Sequence, residues 1–332
     1  MWVVFTEVNY FDEYDNQEFL SRFQLQKNTC VLLLQEIEDA IKSPTNQKNA
    51  VSPATKLLLK LRFYAIGSML LVAGDFMGDS KSSACVAERN VTNAIAGMSD
   101  RYIKFPATQE EQENQKICFY NIARFSCMLG AIDCTHVRIQ SPGGNEAEQY
   151  RNRKGFFSWN VQVISDTKLC IQDIIARWPG RSHDQTIFDN SRIKARFEVN
   201  EFGNGLLLGD SGYGIKPYLI TPLINPVTVA EQLFHESQIR SRNVVERLFG
   251  VWKRRFPILS FGMRVSLERS KAIIVATAVL HNLAISEGED VPPLQREQVM
   301  DEVEQEENNR NENNVNNARR QALINNHFAH LL

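Results

Sequence analysis

The chain has 332 residues, 43% of them hydrophobic, and a formal net charge of −2. That length exceeds one ordinary domain of roughly 100–200 residues and supplies enough apolar residues for a sizeable core. The near-neutral charge excludes a polycation, so any nucleic-acid surface must be local.

Six cysteines (Cys30, Cys85, Cys118, Cys127, Cys134, Cys170) lie scattered, with no C-x-x-C pair. This spacing suits neither a disulfide framework nor a zinc ribbon and reads as reduced thiols. The first residues turn acidic at once and carry no basic segment, unlike a secretory signal. The apolar run from Ala272 to Leu280 is shorter than the ~20 residues a bilayer span needs. We expect a soluble protein of the nucleus or cytoplasm.

Residues 1–50 read as a helical lead-in, acidic and aromatic over 1–22 and with helical periodicity from Cys30 to Ile41. Ser52-Pro53 looks like a helix cap followed by proline at the first helical position. The apolar helix it opens, the Gly74–Ser80 segment and a second helix over Lys81 to Met98 give a helix-turn-helix outline. Plain helical packing gives the same outline, and the second helix is only weakly basic. A helix is expected near Ile117 to Leu129, and the helical domain covers 51–129.

From Gly130 the texture changes. AIDCTHVRIQ alternates as a strand, SWNVQVISD and KLCIQDIIAR follow it, and LLLGDSGY and YLITP supply two more. A helix starts within ARWPGRSHDQTIF, a long one opens at Thr228 and runs to about Arg255, and a last one covers Leu267 to Ser286. This order predicts an α/β domain over 130–286, a mixed sheet flanked by helices. From Glu287 to Asn317 there are ten acids against two arginines, with seven asparagines. Such a composition cannot bury enough surface to order itself, so 287–332 is read as a largely disordered tail.

Four acids stand out. Asp133 sits among apolar residues in a strand, where a carboxylate is costly unless paired or metal-bound. Asp184 opens a helix, where a cap role is the plain alternative. Asp210 ends the strand Leu206–Leu208. Glu246 borders the apolar stripe Val245, Leu248, Phe249 and Trp252, with Gly250 leaving space beside it. Carboxylate oxygens suit Mg²⁺ or Mn²⁺, and two such ions balance four negative charges. Basic residues flank them, nine Lys/Arg against two Glu from Arg240 to Lys271. Arg153 and Lys154 precede Phe156 and Phe157, a pattern suited to phosphates and bases. The candidate DNA contacts are therefore Arg153, Lys154, Lys253, Arg254 and Arg255. His136 and His183 each lie near an acid, in structural or proton-carrying roles.

On GAIDCTHVRI, YRNRKGFFSWNVQVISD, WPGRSHD, LLGDSGYGIKPYLITP, NVVERLFGVWKRRFPIL and VLHNL, the chain resembles the PIF/Harbinger transposase family. The resemblance is to its domesticated, transposase-derived nucleases and covers roughly residues 50–285. It implies an RNase H-like fold preceded by a helix-turn-helix region. It also implies a DDE endonuclease triad at Asp133, Asp210 and Glu246, with Asp184 as a further metal ligand. A Myb-like DNA-binding partner protein and a nuclear location are implied too. The expected activity is metal-dependent cleavage of DNA phosphodiester bonds. The alternative is a catalytically silent DNA- or chromatin-binding adaptor.

Overall fold

A computed structural model describes residues 9–43, 51–67, 90–292 and 314–331. The chain begins with four helices, α1 (Tyr10–Glu13), α2 (Asn16–Phe23), α3 (Lys27–Ile41) and α4 (Pro53–Ile66). Next come α5 (Gln109–Ala123), strands β1 (Met128–Arg138), β2 (Ser158–Ser165) and β3 (Ile171–Pro179), and helices α6 (Asp184–Asp189) and α7 (Arg192–Glu198). Short strands β4 (Leu206–Leu208) and β5 (Leu219–Ile220) precede α8 (Val229–Arg255), α9 (Ile258–Phe261), α10 (Leu267–Ser286) and α11 (Asn314–Asn326). No described helix is long and apolar enough to cross a membrane.

Two compact units emerge, one of residues 1–99 with 252–291, the other of 100–251 with 292–332. This corrects the division read from sequence, because α10 belongs with the amino-terminal helices and not with the sheet. Its buried residues, including Ile273, Ile274, Ala278, Val279, His281 and Leu283, surround the helix. A helix apolar on every side must be enclosed, and proximity in sequence does not say by what.

In the helical unit, Ser52 caps α4 as expected: its side chain accepts from the Thr55 N–H, with Pro53 in the first turn. Of the helix-turn-helix expected over 52–98, α4 is the first helix. Its turn and the first half of its second helix lie outside the described residues, with helical backbone at 90–96. Arg255 departs from its assignment as a DNA contact. It is 2% exposed, its guanidinium 2.7 Å from Glu289, and it also donates to the carbonyls of Gln24 and Asp290. Glu289 in turn accepts from the Gln26 N–H at 2.9 Å. A buried, paired guanidinium is a structural tie and is not available to a phosphate.

The second unit is built on a five-stranded sheet in the order β3-β2-β1-β4-β5. β1–β2 and β2–β3 are antiparallel, whereas β1–β4 and β4–β5 are parallel. Every residue of β2 is buried. Ile132, Ile164, Leu207 and Leu219 of the sheet share one apolar cluster with Phe188 of α6, Ile193 and Phe197 of α7, and Phe202. Gly130 is forced by that packing, since a Cβ there would lie 2.5 Å from Ile164 Cγ2.

Two expectations change in this unit. α5 starts at Gln109, well before Ile117, because Thr108 and Glu111 form a capping box that opens it in the polar run. Residues 314–331, expected in a disordered tail, form α11 and a closing turn with Phe328 fully buried.

Candidate metal centre

Strand register brings the first two acids together. Ala131 of β1 pairs with Leu208 of β4, and the strands run parallel. Two residues further along each chain stand Asp133 and Asp210. Neighbouring strands lie about 4.8 Å apart, so parallel pairing sets these carboxylates side by side although 77 positions separate them. Asp184 reaches them from the first turn of α6. Ligand oxygens of Asp133, Asp184 and Asp210 all lie within 4.8 Å of one another.

Each acid is held in place. Asp133 accepts from the Cys134 N–H at 2.8 Å, and Asp210 accepts from the Gly212 N–H at 2.9 Å. Asp184 Oδ1 accepts from Asn160 Nδ2 at 2.8 Å, and the same amide donates to the Ser182 carbonyl at 2.9 Å. His183, not Asp184, occupies the cap position of α6, so the cap alternative for Asp184 falls away. Gln238 of α8 donates to the Gly209 carbonyl at 3.0 Å, next to Asp210. The thiol of Cys134 lies 3.3 Å from the Tyr213 hydroxyl.

The electrostatics are those of crowded acids. Burial first, then the charge of Asp210, push the Asp133 carboxyl well above its ordinary range, while Arg242 pulls it back and Asp184 adds to the rise. Burial also raises the Cys134 thiol and the Tyr213 phenol well above their usual values, helped by the neighbouring acids. Positive charge beside Asp133 therefore favours its ionised form, as Arg242 already does.

Glu246 does not join the three aspartates. It is half exposed and pairs with Arg242, one helical turn earlier on α8. The other Nη of Arg242 lies 2.9 Å from Asp133 Oδ2, so one guanidinium bridges the two acids. The stripe expected beside Glu246 is as read, with Val245, Leu248, Phe249 and Trp252 all buried.

A divalent ion fits this donor set. The donors are all hard oxygens at a spacing one ion can span. A Cβ on Gly212 would stand 3.1 and 3.5 Å from the Asp210 oxygens and 3.6 Å from Asp184 Oδ2, so glycine keeps that approach open. Among the described residues no other group of three or more His, Cys, Asp or Glu meets the same spacing.

Around the centre, Arg153 and Lys154 are exposed, and Arg153 lies 2.9 Å from His183 Nδ1, which accepts from the guanidinium. His183 is thus engaged beside Asp184, and His136 is engaged with the Ser158 hydroxyl at 3.1 Å. Lys253 and Arg254 are partly buried on α8. Asn160, Gly212 and Arg242 escaped the sequence reading. For Arg242 a signal existed, since Arg-x-x-x-Glu on a helix puts both side chains on one face. For Asn160 only the register of β2 against β1 reveals the role.

Residues 132–282, which contain all four acids, match the family described as DDE superfamily endonuclease. The protein called "Putative nuclease HARBI1" of Rattus norvegicus is 31% identical over 283 residues, which is 84% of this chain and 81% of that protein. Its Homo sapiens counterpart is 30% identical with the same coverage. "Protein ALP1-like" of Arabidopsis thaliana is 23% identical over 86% of this chain and 74% of its own length. No solved structure matches. A likeness this long, centred on the stretch that carries the acids, means that the chain belongs to the family of Harbinger transposase-derived nucleases, within the DDE superfamily endonucleases.

Proposed function

We propose that this chain is a metal-dependent DNA endonuclease whose catalytic acids are Asp133, Asp210 and Glu246 on an RNase H-like scaffold. The observation that carries the reading is the convergence of Asp133, Asp184 and Asp210 within 4.8 Å. The 3-2-1-4-5 sheet order, with its parallel β1–β4 pair, supports the scaffold.

Asp133 and Asp210 would share the ions, with Asp184 and Glu246 completing the set. Two divalent ions would lower the pKa of an attacking water or 3′-hydroxyl and neutralise the leaving oxygen. The protein's own part is placement. Asn160 fixes the rotamer of Asp184, Gln238 and the Gly212 N–H fix Asp210, and glycine at 212 leaves room for the phosphate. Arg153 and Lys154 would hold the DNA backbone beside Asp184, with Lys253 and Arg254 as further phosphate contacts. On this reading the chain would work on DNA in the nucleus, with a cytoplasmic pool as well, and a Myb-like partner would supply the sequence specificity.

The test is nicking of supercoiled plasmid in Mg²⁺ or Mn²⁺, with and without a co-purified Myb-like protein. Wild type should convert plasmid to open circles, and Asp210→Ala should fall to background. Equal activity in both proteins refutes the assignment. Equal inertness under every condition, with DNA binding retained, makes the chain an adaptor.

A further inference from the structure

We propose that Arg242 acts as a resident cation of the acid cluster and makes metal uptake sequential. One divalent ion is taken by Asp133, Asp184 and Asp210 without DNA. The second, at Asp133 and Glu246, is admitted only when a substrate phosphate draws the guanidinium away. The inference rests on the nuclease reading above.

The geometry assigns this role. One Nη of Arg242 is 2.9 Å from Asp133 Oδ2 and the other contacts Glu246 Oε1, so a single guanidinium spans the pair of acids that a second ion would bridge. Four carboxylates carry four negative charges, and one divalent ion plus Arg242 offsets three of them. A second ion beside Arg242 would place like charges on the same two acids.

Helix stabilisation does not explain the residue. An i,i+4 pair on a helix surface contributes little to stability, and Arg before Glu is the poorer orientation. The contact that sets Arg242 apart is with Asp133, where the side chains are 20% and 15% exposed. Screening is weaker there than at the half-exposed Glu246. Guanidinium also matches phosphate as well as it matches carboxylate, in the same forked geometry. A phosphodiester arriving at the cluster therefore offers Arg242 an equivalent partner, and its departure releases Asp133 Oδ2 and Glu246 together.

The experiment counts Mn²⁺ ions bound per full-length chain, by calorimetry and by the loss of the free-ion paramagnetic resonance signal. Wild type alone should bind one ion, and wild type with a phosphorothioate duplex two. Arg242→Gln should bind two without DNA. Arg242→Met, which keeps the volume of the stem, should do the same and stands in if the Gln variant does not fold. Two ions on wild type without DNA, or one ion on either folded variant, overturns the proposal while leaving the nuclease reading intact. No Mn²⁺ on wild type, with or without the duplex, overturns both.

Discussion

Asp173 shows how a carboxylate reads when burial outweighs its neighbouring charges. It pairs with Ile164 across β2–β3. Burial pushes its carboxyl up to about 6, while Arg196 and Arg192 pull it down. An unfolded Asp titrates near ~3.9, so between about pH 4 and 6 the folded chain holds a proton that the unfolded chain has released. The stability tied to that proton is complete below the unfolded pKa and is lost as pH rises through the folded one. Asp173→Asn removes the loss. Denaturant titrations should show the variant and wild type equally stable near pH 4, with the variant ahead by roughly 1–3 kcal/mol at pH 7.5. A gap that does not change with pH would refute this account. Asp133 is raised by the same burial, yet it sits among Asp184, Asp210 and Arg242, and that company distinguishes a candidate site from an isolated buried acid.

At the scale of elements, the strands and the long helices were legible because their apolar patterns are strong. Leu206–Leu208, the run through Val161 and Val163, and the stripe on α8 each bury the side chains their periodicity predicts. Asp133 stood out for a related reason: a carboxylate set in an apolar run has few physical excuses. What the pattern could not carry was pairing. That β1 and β4 are parallel neighbours is a long-range fact, and it places Asp133 beside Asp210. The cross-element polar ties were invisible for the same reason. Gln238 is fully buried, and its Nε2 donation to Gly209 joins α8 to the end of β4. Gln238→Leu would strand a buried carbonyl, at a cost of about 1–3 kcal/mol in urea unfolding. Because that carbonyl adjoins Asp210, Mn²⁺ affinity should also fall, by about tenfold, as for other residues that orient metal ligands. Unchanged affinity in the destabilised variant would mean that the tie supports the fold and not the centre.

At the scale of the molecule, composition misjudged the carboxyl-terminal segment by averaging over it. The acidic, Asn-rich stretch dilutes a short amphipathic one. Arg320, Ile324 and Phe328 are spaced four apart, and all three are buried. Arg320 donates to the Pro222 carbonyl at 3.1 Å and to Asn317 at 2.9 Å. His327 meets the Arg124 carbonyl at 2.7 Å, and Phe328 packs its ring 5.5 Å from Phe125 and 5.4 Å from Phe234. Those rings come from the turn just after α5 and from the first turns of α8, so the segment closes the unit that bears the acids. Removing the Phe328 ring leaves a cavity among aromatics, and Phe→Ala in such sites costs about 3–5 kcal/mol. Local undocking of α11 can relieve part of that cost, so we expect a loss of about 2–4 kcal/mol in thermal unfolding of Phe328→Ala. Hydrogen exchange separates the two routes. Amides of 314–331 should lose protection in the variant first, while those of β1 and β2 keep theirs. If β1 and β2 lose protection to the same degree, α11 is an integral part of the sheet unit's cooperative core. If no amide changes and the melting point holds, the aromatic contact does not support the fold.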